Sequence, residues 1–424
     1  LTKLIIDVIE IKMVSDSIDL FKKILYLGVV RFLGFFSPMI YLGVLIRNYG
    51  LSGYGEFAQA LAISVIFMQV IDYGFNLHVP KAIAENKNNK KIFQLIIVAK
   101  FINVLISSII ITSYYVFTGN NVVTAGIIVV YLFIQVFNIS WLLQGRERIK
   151  ELSYYFALDK IIFIIMILLL TWYKVDASTL LVSLCVSSIF SILYQYYNSY
   201  RDEIIDFNLK GIKLYELKEL YSSSWGYFYS RMAFSLYSNA GVLILSMLST
   251  SEIVGIYSSV EKIYGAAKSM MGVVTTNLYP YMCRTKNIYI FSRFFCLFTF
   301  ISIISCLLVS YFSNEILLII VSNVTDDMSR LLIVFMLCLF FCVPSMLIGY
   351  PLLGAFGYAN IVNSSTLYTC LLYFILIALS FYFYKIDIFV ISIIVLITEI
   401  FCFCYRSVFV FKLLRDNYNV QSIS

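Results

Sequence analysis

Apolar runs of about 20 residues recur along the whole chain, each closed by a short polar segment rich in charge, glycine or asparagine. A run of that length, wound as a helix at 1.5 Å per residue, matches the roughly 30 Å hydrocarbon core of a bilayer. The alternation predicts about twelve membrane spans. They fall at residues 24–46, 56–79, 92–117, 122–143, 155–173, 178–200, 222–248, 253–280, 291–312, 328–353, 361–384 and 388–411. The longest polar interval, "RDEIIDFNLKGIKLYELKELY" over residues 201–221, mixes both charges with leucine and reads as an amphipathic connector lying at the membrane surface. It divides the chain into an N-terminal segment (1–23), a first set of spans (24–200), a second set (222–411) and a tail (412–424).

The charges sort by side. Alternate loops carry Lys81, Lys87, Lys90 and Lys91; Arg146, Arg148 and Lys150; Arg201, Lys210, Lys213 and Lys218; Arg284, Lys286 and Arg293. The N-terminal segment adds Lys3, Lys12, Lys22 and Lys23, and the tail adds Lys412 and Arg415. The opposite loops hold only Arg47, Lys174 and Lys385, with Arg330 at a span edge. Positive charge marks the cytoplasmic face, so both termini are expected there. The composition agrees: 61% of the 424 residues are hydrophobic and 13% charged, with mean hydropathy +0.90. A soluble domain is nearer half apolar and a quarter charged. The net charge of +7 follows from this topology and calls for no nucleic-acid partner, while the basic face suits anionic membrane lipids.

The chemistry of a soluble enzyme is missing from the pattern. Most of the nine cysteines lie inside apolar runs, there is no CxxC, and His78 is the only histidine. These cysteines are expected to pack as small apolar residues, with no metal site and no cofactor. No GxxxxGK[ST] phosphate loop occurs.

The two sets of spans repeat at an offset of 200 residues: Arg31 falls on Arg231, Leu45 on Leu245, Gly55 on Gly255 and Phe57 on Tyr257. "LSGYGEFAQA" and "TSEIVGIYSSV" overlay directly after a span. Six spans per half return the chain to the same side, which predicts two parallel, pseudo-symmetric six-helix lobes, an arrangement found among secondary transporters.

Ionisable residues inside spans are costly and usually face a bundle interior or a water-filled cavity. Here they are Arg31, Lys100, Arg231, Lys262 and Lys268 against Asp72, Glu261 and Glu399, with Arg406 near a span end. The excess of cations would attract an anion, above all a phosphate, which arginine binds as a fork and lysine as a point charge. Arg31 and Arg231, each on the first span of its half and about 10–14 Å deep by helix rise, are the candidate clamp. Competing structural readings are an Arg31–Asp72 pair, a Glu261 pair with Lys268 or Lys262, and snorkelling of Lys100 and Arg406 to the surface. Asp72, Glu261 and Glu399 are the candidate carriers of a coupling H⁺ or Na⁺.

"IRNYGLSGYGEF", "VIDYGFNLHVPKAIAENK", "WLLQGRERIKEL" and above all "LSMLSTSEIVGIYSSVEKIYGAAKSMM" resemble the corresponding segments of polysaccharide flippases, the O-antigen transporter family of the multidrug/oligosaccharidyl-lipid/polysaccharide exporter superfamily. The resemblance implies an all-α, MATE-like fold with a central cavity. It implies a bacterial inner-membrane protein that flips an undecaprenyl-diphosphate-linked oligosaccharide from the cytoplasmic to the periplasmic leaflet. Polymerase and chain-length proteins of surface polysaccharide synthesis would be its partners. It also implies that Arg31, Arg231 and Lys268 meet the diphosphate. The alternatives are a drug exporter of the same superfamily, which would favour acids in its cavity, and a polysaccharide polymerase or ligase. The latter usually carries a large periplasmic loop with arginines, whereas "FSNEILLIIVSNVTDDMS" has no basic residue.

Overall fold

The computed structural model describes the backbone of residues 2–84, 89–119, 121–200, 205, 207–208, 212–321, 324–383 and 386–421. It describes their side chains except those of residues 2–33, 35, 36, 81, 84, 89, 149 and 413–421. Arg31 therefore lies outside the described side chains.

The described chain is helical throughout. The helices are α1 (Thr2–Asp72), α2 (Phe75–Ala84), α3 (Asn89–Thr118), α4 (Val122–Val136), α5 (Ser140–Gly145), α6 (Ile149–Trp172) and α7 (Val182–Ser199). They continue as α8 (Leu214–Leu248), α9 (Ser251–Thr285), α10 (Ile288–Tyr311), α11 (Ser313–Ile320), α12 (Asp326–Leu347), α13 (Ala359–Phe383) and α14 (Ile388–Gln421). A π-helical turn, Ile348–Gly354, extends α12. α1 is two helices joined at Gly50, whose φ of 70° and ψ of −177° only glycine adopts freely. Side-chain caps start others: Asn121 accepts from Val123 N–H, Asn287 from Ile290 N–H and Thr325 from Met328 N–H.

Among the described residues, ten helices are long and apolar enough to cross a membrane. Two of the twelve expected spans do not register separately. The first joins the second through Gly50, and the span expected at 253–280 is α9, whose Glu252, Glu261, Lys262 and Lys268 dilute its hydropathy. The expected connector also shrinks, because α8 begins at Leu214 and takes residues 214–221 as its first turns. The expected spans at 56–79 and 122–143 are each broken, at Tyr73–Gly74 and at residues 137–139.

Packing divides the chain into two compact units, residues 1–37, 67–169 and 182–228 in one, and 38–66, 170–181 and 229–424 in the other. In the first, α3 packs on α4, α4 on α7 and α2 on α5. Its aromatic core includes Tyr73 stacked on Phe228 at 4.3 Å and Phe93 beside Trp141 at 6.2 Å. In the second, α12 is the hub, packed against α9, α10 and α14. Tyr257 and Tyr264 both lie against Phe335, at 5.7 and 5.3 Å. α10 turns Phe300, Ile301 and Leu307 outward, as a helix bathed in lipid would.

Within the second unit, α1 and α9 cross closely. A Cβ added to Gly55 would sit 1.8 Å from the Ser251 carbonyl oxygen, and one added to Gly255 would sit 2.0 Å from that of Leu51. Both pairs are related by the 200-residue offset, so the contact is reciprocal. Only glycine lets two helix backbones approach so closely. Tyr54 and Ser258 hydroxyls bond beside it at 3.2 Å. The offset also relates local packing. Tyr41 meets Phe57 edge-on at 5.9 Å, while Gly241 makes room for Tyr257, whose hydroxyl lies 2.3 Å from a Cβ placed there.

Candidate functional site

Among the described residues, the ionisable residues of the spans include a fully buried pair, a half-open pair and two cations with no carboxylate at ion-pair distance. Asp72, on the last turn of α1, and Lys100 of α3 form the buried pair, with 3.5 Å between Nζ and Oδ1. Lys100 is 1% exposed and also donates to the Asn138 carbonyl at 3.2 Å. It does not snorkel, and Asp72, which the Arg31 pairing would have used, has Lys100 as its described partner.

The reason lies in the break between α4 and α5. Residues 137–139 leave the helical path and free backbone groups that lipid would not satisfy. Gln195 Oε1 accepts from Ile139 N–H at 2.8 Å, Lys100 caps the Asn138 carbonyl, and Asn138 Oδ1 accepts from Ser140 N–H at 3.0 Å. The Asn138 amide donates in turn to Gln135 at 2.9 Å and to the Tyr155 hydroxyl at 2.7 Å. Gln135, Asn138 and Gln195 were visible as amides inside apolar runs, but nothing in one-dimensional spacing links them. The Tyr221 hydroxyl donates to Asn103 Oδ1 at 2.9 Å, and the Asn103 amide caps the Val70 and Ile71 carbonyls just before Asp72.

The half-open pair lies in the second unit. Lys268 of α9 donates to Glu399 Oε1 of α14 at 2.7 Å. The Tyr264 hydroxyl donates to the same oxygen at 2.9 Å and the Tyr237 hydroxyl at 3.4 Å. Thr398 shares the Tyr237 hydroxyl at 3.2 Å. The Lys268 ammonium lies over the Tyr237 and Tyr264 rings, 5.9 and 5.4 Å from their centroids. Glu399 is 7% exposed at its side chain and Lys268 31%, so the carboxylate is sealed while the lysine side chain is only half-buried. This pairing overturns one reading of Glu261, since Lys268 is turned to Glu399 across helices. Glu261 lies by the Tyr257 hydroxyl instead. The two tyrosines and Thr398 that complete the site escaped sequence reading, because aromatic residues in an apolar run carry no polar signal.

Arg231 is exposed on α8 and Lys262 half-buried on α9; among the described residues neither lies within ion-pair distance of a carboxylate. Arg406 is buried, held by Ser345, Ser365 and Thr366, and does not snorkel. No cluster of His, Cys, Asp and Glu suited to a metal ion occurs among the described residues.

Residues 20–286 match the family model described as polysaccharide biosynthesis protein. Two relatives named "Putative O-antigen transporter" are each 24% identical, one from Escherichia coli (strain K12) over 64% of this chain and one from Shigella dysenteriae over 63%. The matches span about two thirds of those proteins, 66% and 68%. Among solved structures, an inward-facing multidrug resistance MATE family transporter of the MOP superfamily is similar at TM-score 0.65 and 14% identity, over 92% of this chain and 96% of that one. The lipid II flippase MurJ in an inward closed conformation is similar at TM-score 0.56 and 16% identity, over 91% and 86%. A MOP superfamily transporter from Pyrococcus furiosus is similar at 0.52 and 14%, over 93% and 95%. These likenesses establish a MATE-like, all-helical membrane fold.

Proposed function

Because this chain belongs to the polysaccharide biosynthesis protein family, we propose that it is a flippase for a lipid-linked oligosaccharide. It moves the diphosphate-sugar head of an undecaprenyl-linked repeat unit from the cytoplasmic to the periplasmic leaflet of a bacterial inner membrane. The lipid tail stays in the bilayer, no bond is made or broken, and the head is exposed to each side in turn. The chain crosses the membrane twelve times with both termini in the cytoplasm, α9 being the polar span. Polymerase and chain-length proteins receive the flipped unit.

The observation that carries this reading is the set of cations in α8 and α9, Arg231 and Lys262, that have no carboxylate within ion-pair distance among the described residues, together with the half-buried Lys268. A diphosphate is the ligand such a set favours, through Arg231 as a fork and the lysines as point charges. A drug exporter with a cationic cargo would gain nothing from them. Lys100 takes a different part: buried against Asp72 and the Asn138 carbonyl, it holds the broken α4–α5 path in place.

The Lys268–Glu399 pair suggests how an ion enters. When Lys268 turns to the diphosphate, Glu399 loses its cation while still buried, and taking up H⁺ or Na⁺ replaces that charge. Asp72 is neutralised by Lys100 and Glu261 lies by the Tyr257 hydroxyl, so of the three carboxylates Glu399 is the one paired with a half-buried cation.

The test is deletion of the gene in its host, with surface polysaccharide and inner-leaflet lipid-linked oligosaccharide measured together. Loss of the first with accumulation of the second supports the reading, and restoration requires the plasmid-borne wild-type chain. Unchanged polysaccharide in the deletion strain would refute it.

A further inference from the structure

Arg406 has no place in the translocation reading, yet it is the most deeply buried arginine among the described side chains, 9% exposed inside the α14 span. An arginine in a span costs at least about 2.5–3.5 kcal/mol on insertion scales, so something must offset its charge. Nε donates to Ser365 Oγ at 2.9 Å, Nη1 to the Ser345 carbonyl at 2.9 Å and Ser345 Oγ at 3.3 Å, and Nη2 to Thr366 Oγ1 at 3.3 Å. All of these acceptors are neutral. They fix the plane of the guanidinium and leave its full positive charge in place. Nη2 carries two hydrogens and meets one acceptor. Among the described residues no carboxylate lies within ion-pair distance of it.

The guanidinium opens onto a cavity of about 360 Å³ that lies wholly within the second unit. Thr275, Thr276, Tyr279, Tyr350 and Met346 line it with Arg406, and no acidic residue does. Its size is that of a small-ligand site, where roughly 300–1,000 Å³ is usual. The backbone is shaped around the cation. The π-helical turn Ile348–Gly354 runs alongside, and a Cβ on Gly349 would come within 3.0 Å of Arg406 Nη1. π-turns inside helices are frequent at functional sites. Tyr350, 44% exposed, stands at the mouth, with Tyr279 edge-on at 5.7 Å and its hydroxyl bonded to Asn363 at 2.6 Å. Arg406 is six residues from Lys412 at the end of the span, about 9 Å by helix rise, within reach of the head-group layer.

We propose that this cavity binds a phosphate group, with Arg406 as its charge partner. A phosphate supplies the missing counter-charge, and its oxygens suit the free Nη2 hydrogen. The phosphate comes either from an anionic lipid head group entering from the bilayer or from a free phosphate in solution. Neither Arg231 nor Lys268 lines the cavity, and the proposal does not depend on the translocation reading.

The test uses the purified full chain in neutral detergent. Binding is followed by thermal unfolding and by equilibrium titration with three probes: phosphatidylglycerol in mixed micelles, phosphatidylcholine in the same micelles, and inorganic pyrophosphate. Stabilisation by phosphatidylglycerol over phosphatidylcholine identifies the lipid source, and stabilisation by pyrophosphate alone identifies the soluble one. Arg406→Gln is expected to weaken the effective probe by about tenfold or more, the usual span of a charge-assisted contact; Arg406→Lys loses less. Thr275→Phe fills the cavity without touching the guanidinium's partners and should abolish binding in a protein that melts normally, which carries the test should Arg406→Gln fail to fold. Equal behaviour of all three probes on the wild-type chain, or unchanged affinity in Thr275→Phe, would overturn the proposal.

Discussion

Replacing Lys268 with methionine, which keeps the aliphatic stem and removes the charge, tests the half-open pair. In the folded chain Lys268 Nζ is 2.7 Å from Glu399 Oε1, and the Glu399 side chain is 7% exposed. Removing one partner of a buried pair costs about 3–5 kcal/mol, because the other is left charged and desolvated. Two features lower that figure here. Lys268 is itself 31% exposed, and the Tyr264 and Tyr237 hydroxyls still donate to Glu399. The expected cost is therefore near the lower end, about 2–3 kcal/mol. Glu399→Gln, which keeps the shape and the tyrosine bonds, should cost about 1–2 kcal/mol. The double variant should cost less than the sum by about 1–2 kcal/mol, since the unpaired carboxylate is gone. Reversible denaturation in mixed micelles gives all four stabilities. Additive single effects, within about 0.5 kcal/mol, would show that the pair is not coupled and would refute the reasoning. In cells, Glu399→Gln should also flatten the dependence of surface polysaccharide on external pH or Na⁺.

Two further outcomes follow from the fold. Gly55→Ala places a Cβ 1.8 Å from the Ser251 carbonyl, so the helices must separate at a cost of about 1–3 kcal/mol or more, read as a lowered melting temperature; a neutral Gly55→Ala would show that the crossing is looser than described. Reporter fusions after Asn120 and Ser251 should read periplasmic and those after Lys90 and Lys213 cytoplasmic, as the loop charges require; two inverted readings would break the twelve-span map.

What the sequence made legible was whatever depends on neighbours along the chain. Run length gives the long helices from α3 to α14 to within a few residues at most ends, because a span is a local property of hydropathy, but not the short α11, which lies in the expected outward loop. The 200-residue offset pointed to Gly55 and Gly255, and the structure shows why both are glycine: each is the other's close neighbour. What stayed hidden depends on how helices turn about their axes. Spacing along the chain offers Glu261 as the acid nearest Lys268 on its own helix, but its partner Glu399 lies 131 residues away on α14. Lys100 and Arg406 looked like residues able to reach the surface, yet each is turned inward by an acceptor on another helix, the Asn138 and Ser345 carbonyls. The Asn138 carbonyl belongs to the α4–α5 break, while Ser345 lies in the last turn of α12 before its π-helical turn. A helical pattern in sequence gives no sign of backbone that will later need a donor. The start of α8 at Leu214 was missed for a related reason: its first turns mix Glu216, Lys218 and Glu219 with leucines, which reads equally well as a surface connector.

The central claim is translocation of a lipid-linked oligosaccharide by the cations of α8 and α9, and reconstitution tests it most directly. Undecaprenyl-diphosphate-linked oligosaccharide, placed in one leaflet of proteoliposomes and detected from the other by a membrane-impermeant lectin, reports crossing. The wild-type chain should raise the crossing rate well above protein-free vesicles. Arg231→Ala should lower it by on the order of tenfold, the loss of one charge-assisted phosphate contact, and Arg231→Lys should recover part of the rate by restoring the charge without the fork. A rate equal to that of protein-free vesicles with the wild-type chain, or an Arg231→Ala protein as fast as wild type, would contradict the account.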